Sequence, residues 1–136
     1  RILLVEDNAV EMSVLAKRLT ALGYAVTCAP CGSQAIRAAD EAQPILMLLD
    51  LTLMVDDRMN TPLWDGFSLL EWMRRVIPNA SFPVIVHTGS PFFHIATQAR
   101  ALGIHCVFEK SEDLSELLTA VRNLLDERHG KPVQGK

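Results

Sequence analysis

Nothing in this 136-residue chain approaches the roughly 18–20 consecutive apolar residues that a membrane span requires, and the longest candidate, Ile45 to Leu49, has only the length of a strand. No membrane association is expected. No charged stretch leads into an apolar one at the start, so no signal peptide is expected either. Cysteine is sparse and odd in number. Cys28, Cys31 and Cys106 do not make the dense, even set of a secreted disulfide scaffold, and a cytoplasmic location follows as the expectation. A basic stripe is missing too: a net charge of −3 offers phosphate backbones nothing to neutralise, so this segment is not expected to bind nucleic acid. There is no internal repeat. The chain opens at Arg1, without Met, directly on an apolar run, and is expected to be a piece of something longer.

What is present is enough apolar material for one ordinary domain, since 49% of residues are hydrophobic and a chain of this length can bury a core without staples. Short apolar runs alternate with amphipathic stretches five times, the pattern of a parallel sheet with covering helices, so the class is α/β. Strands are expected at Ile2 to Val5, Ala25 to Cys28, Ile45 to Leu49, Pro83 to His87 and His105 to Phe108. The third is a continuous apolar run, as a central strand buried on both faces demands.

Five helices are expected between and after the strands. The first, Ala9 to Leu22, places Val14, Leu15, Leu19 and Leu22 on one stripe and closes at Gly23, where a positive φ is wanted. The second, Ser33 to Ala42, has Ser33 as its candidate N-cap. The third, Phe67 to Val76, stops before Ile77-Pro78, because a residue preceding proline is pushed out of helical space. The fourth spans Phe92 to Leu102. The last carries a buried stripe of Leu114, Leu117, Leu118, Val121, Leu124 and Leu125. Residues 1–128 are read as the domain, and the polar run 129–136 as a flexible tail or linker start.

Right-handed crossovers make all the strands point one way, so their carboxyl ends gather on one edge, where open α/β sheets bind ligands. Glu6 and Asp7 follow strand one, Asp50 strand three, Thr88 strand four and Lys110 strand five. Taken singly, an acidic pair after a strand also suits a solvated turn or a helix N-terminus, and a lone Asp, Thr or Lys is unremarkable there. Jointly they describe a site. Three converging carboxylates would raise at least one pKa unless a cation sits among them, and hard oxygen donors suit Mg²⁺ or Mn²⁺. With Asp50 as nucleophile, and Thr88 and Lys110 holding phosphoryl oxygens, the set makes sense as an aspartyl-phosphate site.

Leu4-Val5-Glu6-Asp7-Asn8, Leu48-Leu49-Asp50-Leu51, Pro62-Leu63-Trp64-Asp65-Gly66, His87-Thr88-Gly89 and Glu109-Lys110 together resemble the receiver domains of bacterial two-component response regulators, over Ile2 to about Leu125. The resemblance implies a doubly wound, flavodoxin-like five-stranded parallel sheet of order 2-1-3-4-5. It implies Mg²⁺ (or Mn²⁺) held by Glu6, Asp7, Asp50 and the backbone carbonyl of Thr52, with Thr88 as switch hydroxyl and Lys110 on the phosphoryl group. Phosphoryl transfer comes from a histidine kinase, a phosphotransfer protein or a small phosphodonor. Such a domain catalyses its own phosphorylation and dephosphorylation rather than turning over a substrate. Dimerisation or effector docking is implied through the fourth helix, fifth strand and fifth helix, where Phe92 and Phe93 are candidates.

The sequence departs from the family pattern in four places. Eleven residues separate Asp50 from Pro62, an excess over the family's short spacing that falls at Leu53 to Asn60 and brings Asp56, Asp57 and Arg58 above the site. Ser111 stands after Lys110 where the family commonly has a cis-proline; a cis bond before serine costs about 2.5–4 kcal/mol, so a trans loop with Lys110 aimed differently is expected. Val107 occupies the usual aromatic switch position, and Phe108 should face the other side of the sheet. Gly89 follows Thr88. Two other readings stay open: a receiver-like interaction module independent of phosphorylation, and a redox protein built on Cys28-Ala-Pro-Cys31. Trp64, Trp72, His87, His94 and His105 are read as structural.

Overall fold

The computed structural model describes residues 1–50, 66–77, 82–89, 104–111 and 113–128. Its elements run β1 (Ile2–Val5), α1 (Ala9–Ala21), β2 (Val26–Ala29), α2 (Gly32–Ala42), β3 (Leu46–Leu49), α3 (Gly66–Val76), β4 (Val84–Thr88), β5 (Ile104–Glu109) and α4 (Ser115–Arg128). The five strands form one sheet in the order β2-β1-β3-β4-β5. Every neighbouring pair is parallel. The helix expected at Phe92 to Leu102, the segment Leu53 to Asn60, Trp64, His94 and the run 129–136 lie outside the described residues.

Burial explains why the strands read as they do. All four residues of β3 are fully buried. Met47 and Leu49 pack with α2 and α3 on one face, alongside Leu69, Leu70 and Met73. Leu46 and Leu48 pack with α1 and α4 on the other, alongside Leu15, Leu19 and Val121. Alternation also puts Val107 on the first face and Cys106 and Phe108 on the second, as expected. Because Leu49 has no exposed surface, Leu49→Ala should destabilise the domain by about 2–5 kcal/mol, read as a lowered urea midpoint at unchanged slope.

Two expectations about helix detail fail. In α1 only Leu15 and Leu19 are buried, whereas Val14 and Leu22 are 48% and 40% exposed. The buried stripe is the narrow i, i+4 row; Val14 lies one residue, about 100° of helix rotation, off it. Leu22 is already the C-cap, where the chain turns into Gly23 at φ 97°. In α2 the N-cap is Cys31, in extended backbone and without a side-chain cap bond, because helical geometry begins at Gly32. Ser33 lies inside the first turn, its hydroxyl 3.5 Å from the Cys31 sulfur. Strand two is also displaced by one residue and ends at Ala29 rather than Cys28.

The sheet order reverses beside β1, which pairs with β2 on one side and β3 on the other. The register Val5↔Leu49 brings the carboxyl ends of β1 and β3 level. Asp50 N–H donates to the Val5 carbonyl at 3.0 Å, and Glu6 N–H to the Ala29 carbonyl at 3.2 Å, so the ladder continues into the acidic residues. On the far side, Lys110 N–H donates to the Thr88 carbonyl at 2.8 Å. Backbone pairing alone thus delivers the polar residues to one edge.

Candidate functional site: an acidic pocket at the switch point

Glu6, Asp7 and Asp50 converge, each offering one carboxylate oxygen within 4.8 Å of the others. Glu6 and Asp50 are only 3% and 4% exposed, and Thr88 is fully buried, a depth at which unpaired polar groups are costly. Lys110 compensates the two carboxylates. Its ammonium lies 3.0 Å from Glu6 Oε1, 3.1 Å from Asp50 Oδ2 and 2.6 Å from Glu11 Oε2. Among the described residues no peptide bond is cis. The expectation that Ser111 would turn Lys110 elsewhere is therefore corrected: with a trans bond the side chain still reaches Asp50.

One carboxyl of the three is raised, as expected, though burial contributes more than charge crowding. Burial, reinforced by Asp50, pushes the Glu6 carboxyl up to about 8, against the lowering effect of Lys110 and the Asn8 N–H. Burial acts to lower the Lys110 ammonium, but its bonds to Glu11, Glu6 and Asp50 outweigh this and hold it above its ordinary value. Burial also lowers the His87 imidazole, and the Lys110 charge adds to the effect.

Five of the residues singled out in the sequence, Glu6, Asp7, Asp50, Thr88 and Lys110, meet at this edge; Thr52 lies outside the described residues. Two participants were not anticipated. Glu11 reaches Lys110 from the first turn of α1, and His87 lines, with Val10, Glu11, Leu15 and Lys110, a cavity of about 450 Å³ beside the pocket. Four residues after Asp7, Glu11 sits one helical turn above the same edge, which is the only sequence signal for it. The cysteines are free thiols, and burial pushes the Cys28 thiol up, the reverse of a redox-active thiolate.

The donor set consists of hard carboxylate oxygens gathered around one point, chemistry that suits a hydrated divalent cation of the Mg²⁺ type. Fold and pocket define a doubly wound α/β protein with an acidic site at its topological switch point. The model of the response regulator receiver domain family matches residues 2–122, and the chain belongs to that family, the receiver domains of two-component signalling. It is similar to the DNA-binding dual master transcriptional regulator RpaA of Synechocystis sp., 30% identical over 125 residues, covering 92% of this chain and 48% of that one. It is also similar to the transcriptional regulatory protein GlrR of Escherichia coli, at 29% over 126 residues, covering 93% and 26% respectively. The chain thus spans about half the length of the first relative and about a quarter of the second. Among solved structures, a CheY-like receiver domain protein from Methanospirillum hungatei superposes with a TM-score of 0.81 at 22% identity, covering 96% of both chains. The signal receiver domain of an HD domain-containing protein from Pseudomonas fluorescens gives 0.78 at 27%, covering 96% of this chain and 97% of that one. No helix among the described residues is long and apolar enough to cross a membrane.

Proposed function

We propose that this domain is a phosphoacceptor, in which Asp50 takes a phosphoryl group from a histidine kinase, a phosphotransfer protein or a small acyl phosphate. The observation that carries the reading is the single Lys110 ammonium 3.1 Å from Asp50 Oδ2, inside a pocket of three converging carboxylates. An Asp50 oxygen attacks phosphorus in line, the bond from phosphorus to the donor breaks, and the donor leaves with that electron pair. Lys110 and the Thr88 hydroxyl hold the equatorial oxygens of the transferring group, the positioning and neutralisation such a transfer needs. Glu6, Asp7, Asp50 and the carbonyl of Thr52 are the proposed ligands of Mg²⁺ or Mn²⁺. When bound, the cation supplies charge neutralisation for the pocket and the phosphoryl oxygens.

The test is incubation with acetyl phosphate and Mg²⁺, followed by intact mass. Wild type should gain the mass of one phosphoryl group, and EDTA should prevent it. No gain under any donor would leave the phosphorylation-independent interaction module as the better reading.

Glu6 gives this proposal a pH signature. Its carboxyl rises from the ordinary 4.5 to about 8 in the metal-free fold, so the stability linked to that proton is full below about pH 4.5 and is lost as pH rises through about 8. A cation requires the ionised carboxylate, so the stabilisation it brings should grow over the same interval. Thermal unfolding at several pH values should show the gap between Mg²⁺-loaded and metal-free protein widening from pH 6 to about 8. A gap that narrows would exclude Glu6 as the proton-linked ligand.

A further inference from the structure

Glu11 occupies the third helical position of α1, after the N-cap Asn8, whose side-chain oxygen accepts its N–H at 3.0 Å. A glutamate there commonly reaches back to the N-cap N–H and closes a capping box. In this chain that N–H is already taken by Glu6 Oε2 at 3.1 Å. Glu11 instead extends across the site edge and makes the shortest of the Lys110 contacts, at 2.6 Å.

An ammonium has three protons, and three carboxylates surround this one. A phosphoryl oxygen arriving on Asp50 must displace one of them or share its proton. Asp50 carries the incoming group and stays. Glu6 is buried and fixed by the Asn8 N–H, with a side chain only 4% exposed. The Glu11 side chain is 45% exposed and can swing into water at little cost, so it is the partner that yields. Its charge also opposes the phosphoryl anion for as long as it stays.

We propose that Glu11 is a positioning residue that competes with the phosphoryl group for Lys110 and so favours the unphosphorylated state of the domain. This deepens the phosphoacceptor reading and rests on it. The residue sets how readily the site fills, without touching the reacting atoms. Its partner-dependent consequence is direct: anything that draws Glu11 away from Lys110 primes the site.

The experiment measures binding of beryllofluoride, a phosphoryl mimic, in saturating Mg²⁺ by calorimetry and fluorine NMR, for wild type, Glu11→Gln and Glu11→Asp. Removing the charge should raise beryllofluoride affinity by roughly two- to fivefold, the worth of a partly exposed ion pair, and the gain should shrink at high salt. Glu11→Asp, whose shorter side chain draws the carboxylate back from Lys110, should gain less than Glu11→Gln because its charge remains. Thermal midpoints measured without the mimic separate an effect on the site from one on helix α1. Equal affinity in wild type and Glu11→Gln, or a loss in the variant, would overturn the inference while leaving the phosphoacceptor reading intact. Absence of binding by wild type would overturn both.

Discussion

Asp50→Asn should abolish phosphoryl uptake from acetyl phosphate while leaving the fold intact. Asparagine has the shape of aspartate, so the buried end of β3 keeps its packing, and its backbone N–H still donates to Val5 at 3.0 Å. What disappears is the anionic oxygen, the nucleophile of the proposed reaction. An amide oxygen is too weak a nucleophile to replace it, so the expected intact-mass signal is zero rather than reduced. The same substitution removes one of three crowded carboxylates, which lessens repulsion in the pocket. Its thermal midpoint without Mg²⁺ should therefore equal or exceed that of wild type. Loss of uptake with an unlowered midpoint assigns the chemistry to Asp50. Retained uptake would move the acceptor elsewhere, and loss of both would make Asp50 structural.

How much of this was legible in the sequence depends on the range of the interaction involved. β3 was readable because all four residues are buried on two faces, which leaves no polar position to obscure the run. The stripe of α4 was readable for the related reason that five apolar residues repeat on one face, and these and Leu114 just before the helix are all buried. Gly23 announced its positive φ, and parallel topology put Glu6, Asp50, Thr88 and Lys110 on one edge before any contact was known. The sheet order came from family resemblance, because periodicity specifies a face and says nothing of which strand lies beside which.

Contacts set by side-chain reach were not legible. Lys110 and Glu11 are separated by 99 positions, and their meeting depends on the level of β5 against α1 and on the path of a long side chain. The wrong assignments of Val14 and Leu22 have a similar origin. Val14 adjoins the buried row in sequence, yet one residue is about 100° of helix rotation, and Leu22 would continue the row if the helix had not already ended at it as the C-cap. Ser33 shows the limit for caps. A good capping residue fails to cap when the chain becomes helical one residue earlier, at Gly32, leaving Cys31 as the half-extended neighbour.

Lys110→Met is the second substitution with a large expected effect, and it is diagnostic because two measurable quantities should move in opposite directions. Methionine preserves most of the unbranched stem, and the backbone bond from residue 110 to the Thr88 carbonyl at 2.8 Å does not depend on the side chain. The loss is therefore confined to one charge, 3.0–3.2 Å from Glu6 and 3.1 Å from Asp50. In the transfer step that charge faces the phosphoryl oxygens, and removing a preorganised donor of this kind typically costs about 10²–10³ in rate. Phosphorylation by acetyl phosphate should slow by about that factor. The cation responds the other way. Without the ammonium, Glu6, Asp7 and Asp50 lack their neighbouring positive charge; losing Lys110 also pushes the Glu6 carboxyl further up, so the tighter Mg²⁺ binding than in wild type should show at a pH high enough to ionise Glu6 in both proteins. Lys110→Arg keeps the charge but spreads it over a planar fork, and should restore only part of the rate. A slower reaction with tighter Mg²⁺ binding would identify Lys110 as the electrostatic partner of the transferring group. Equal weakening of both would show instead that its removal had distorted the pocket.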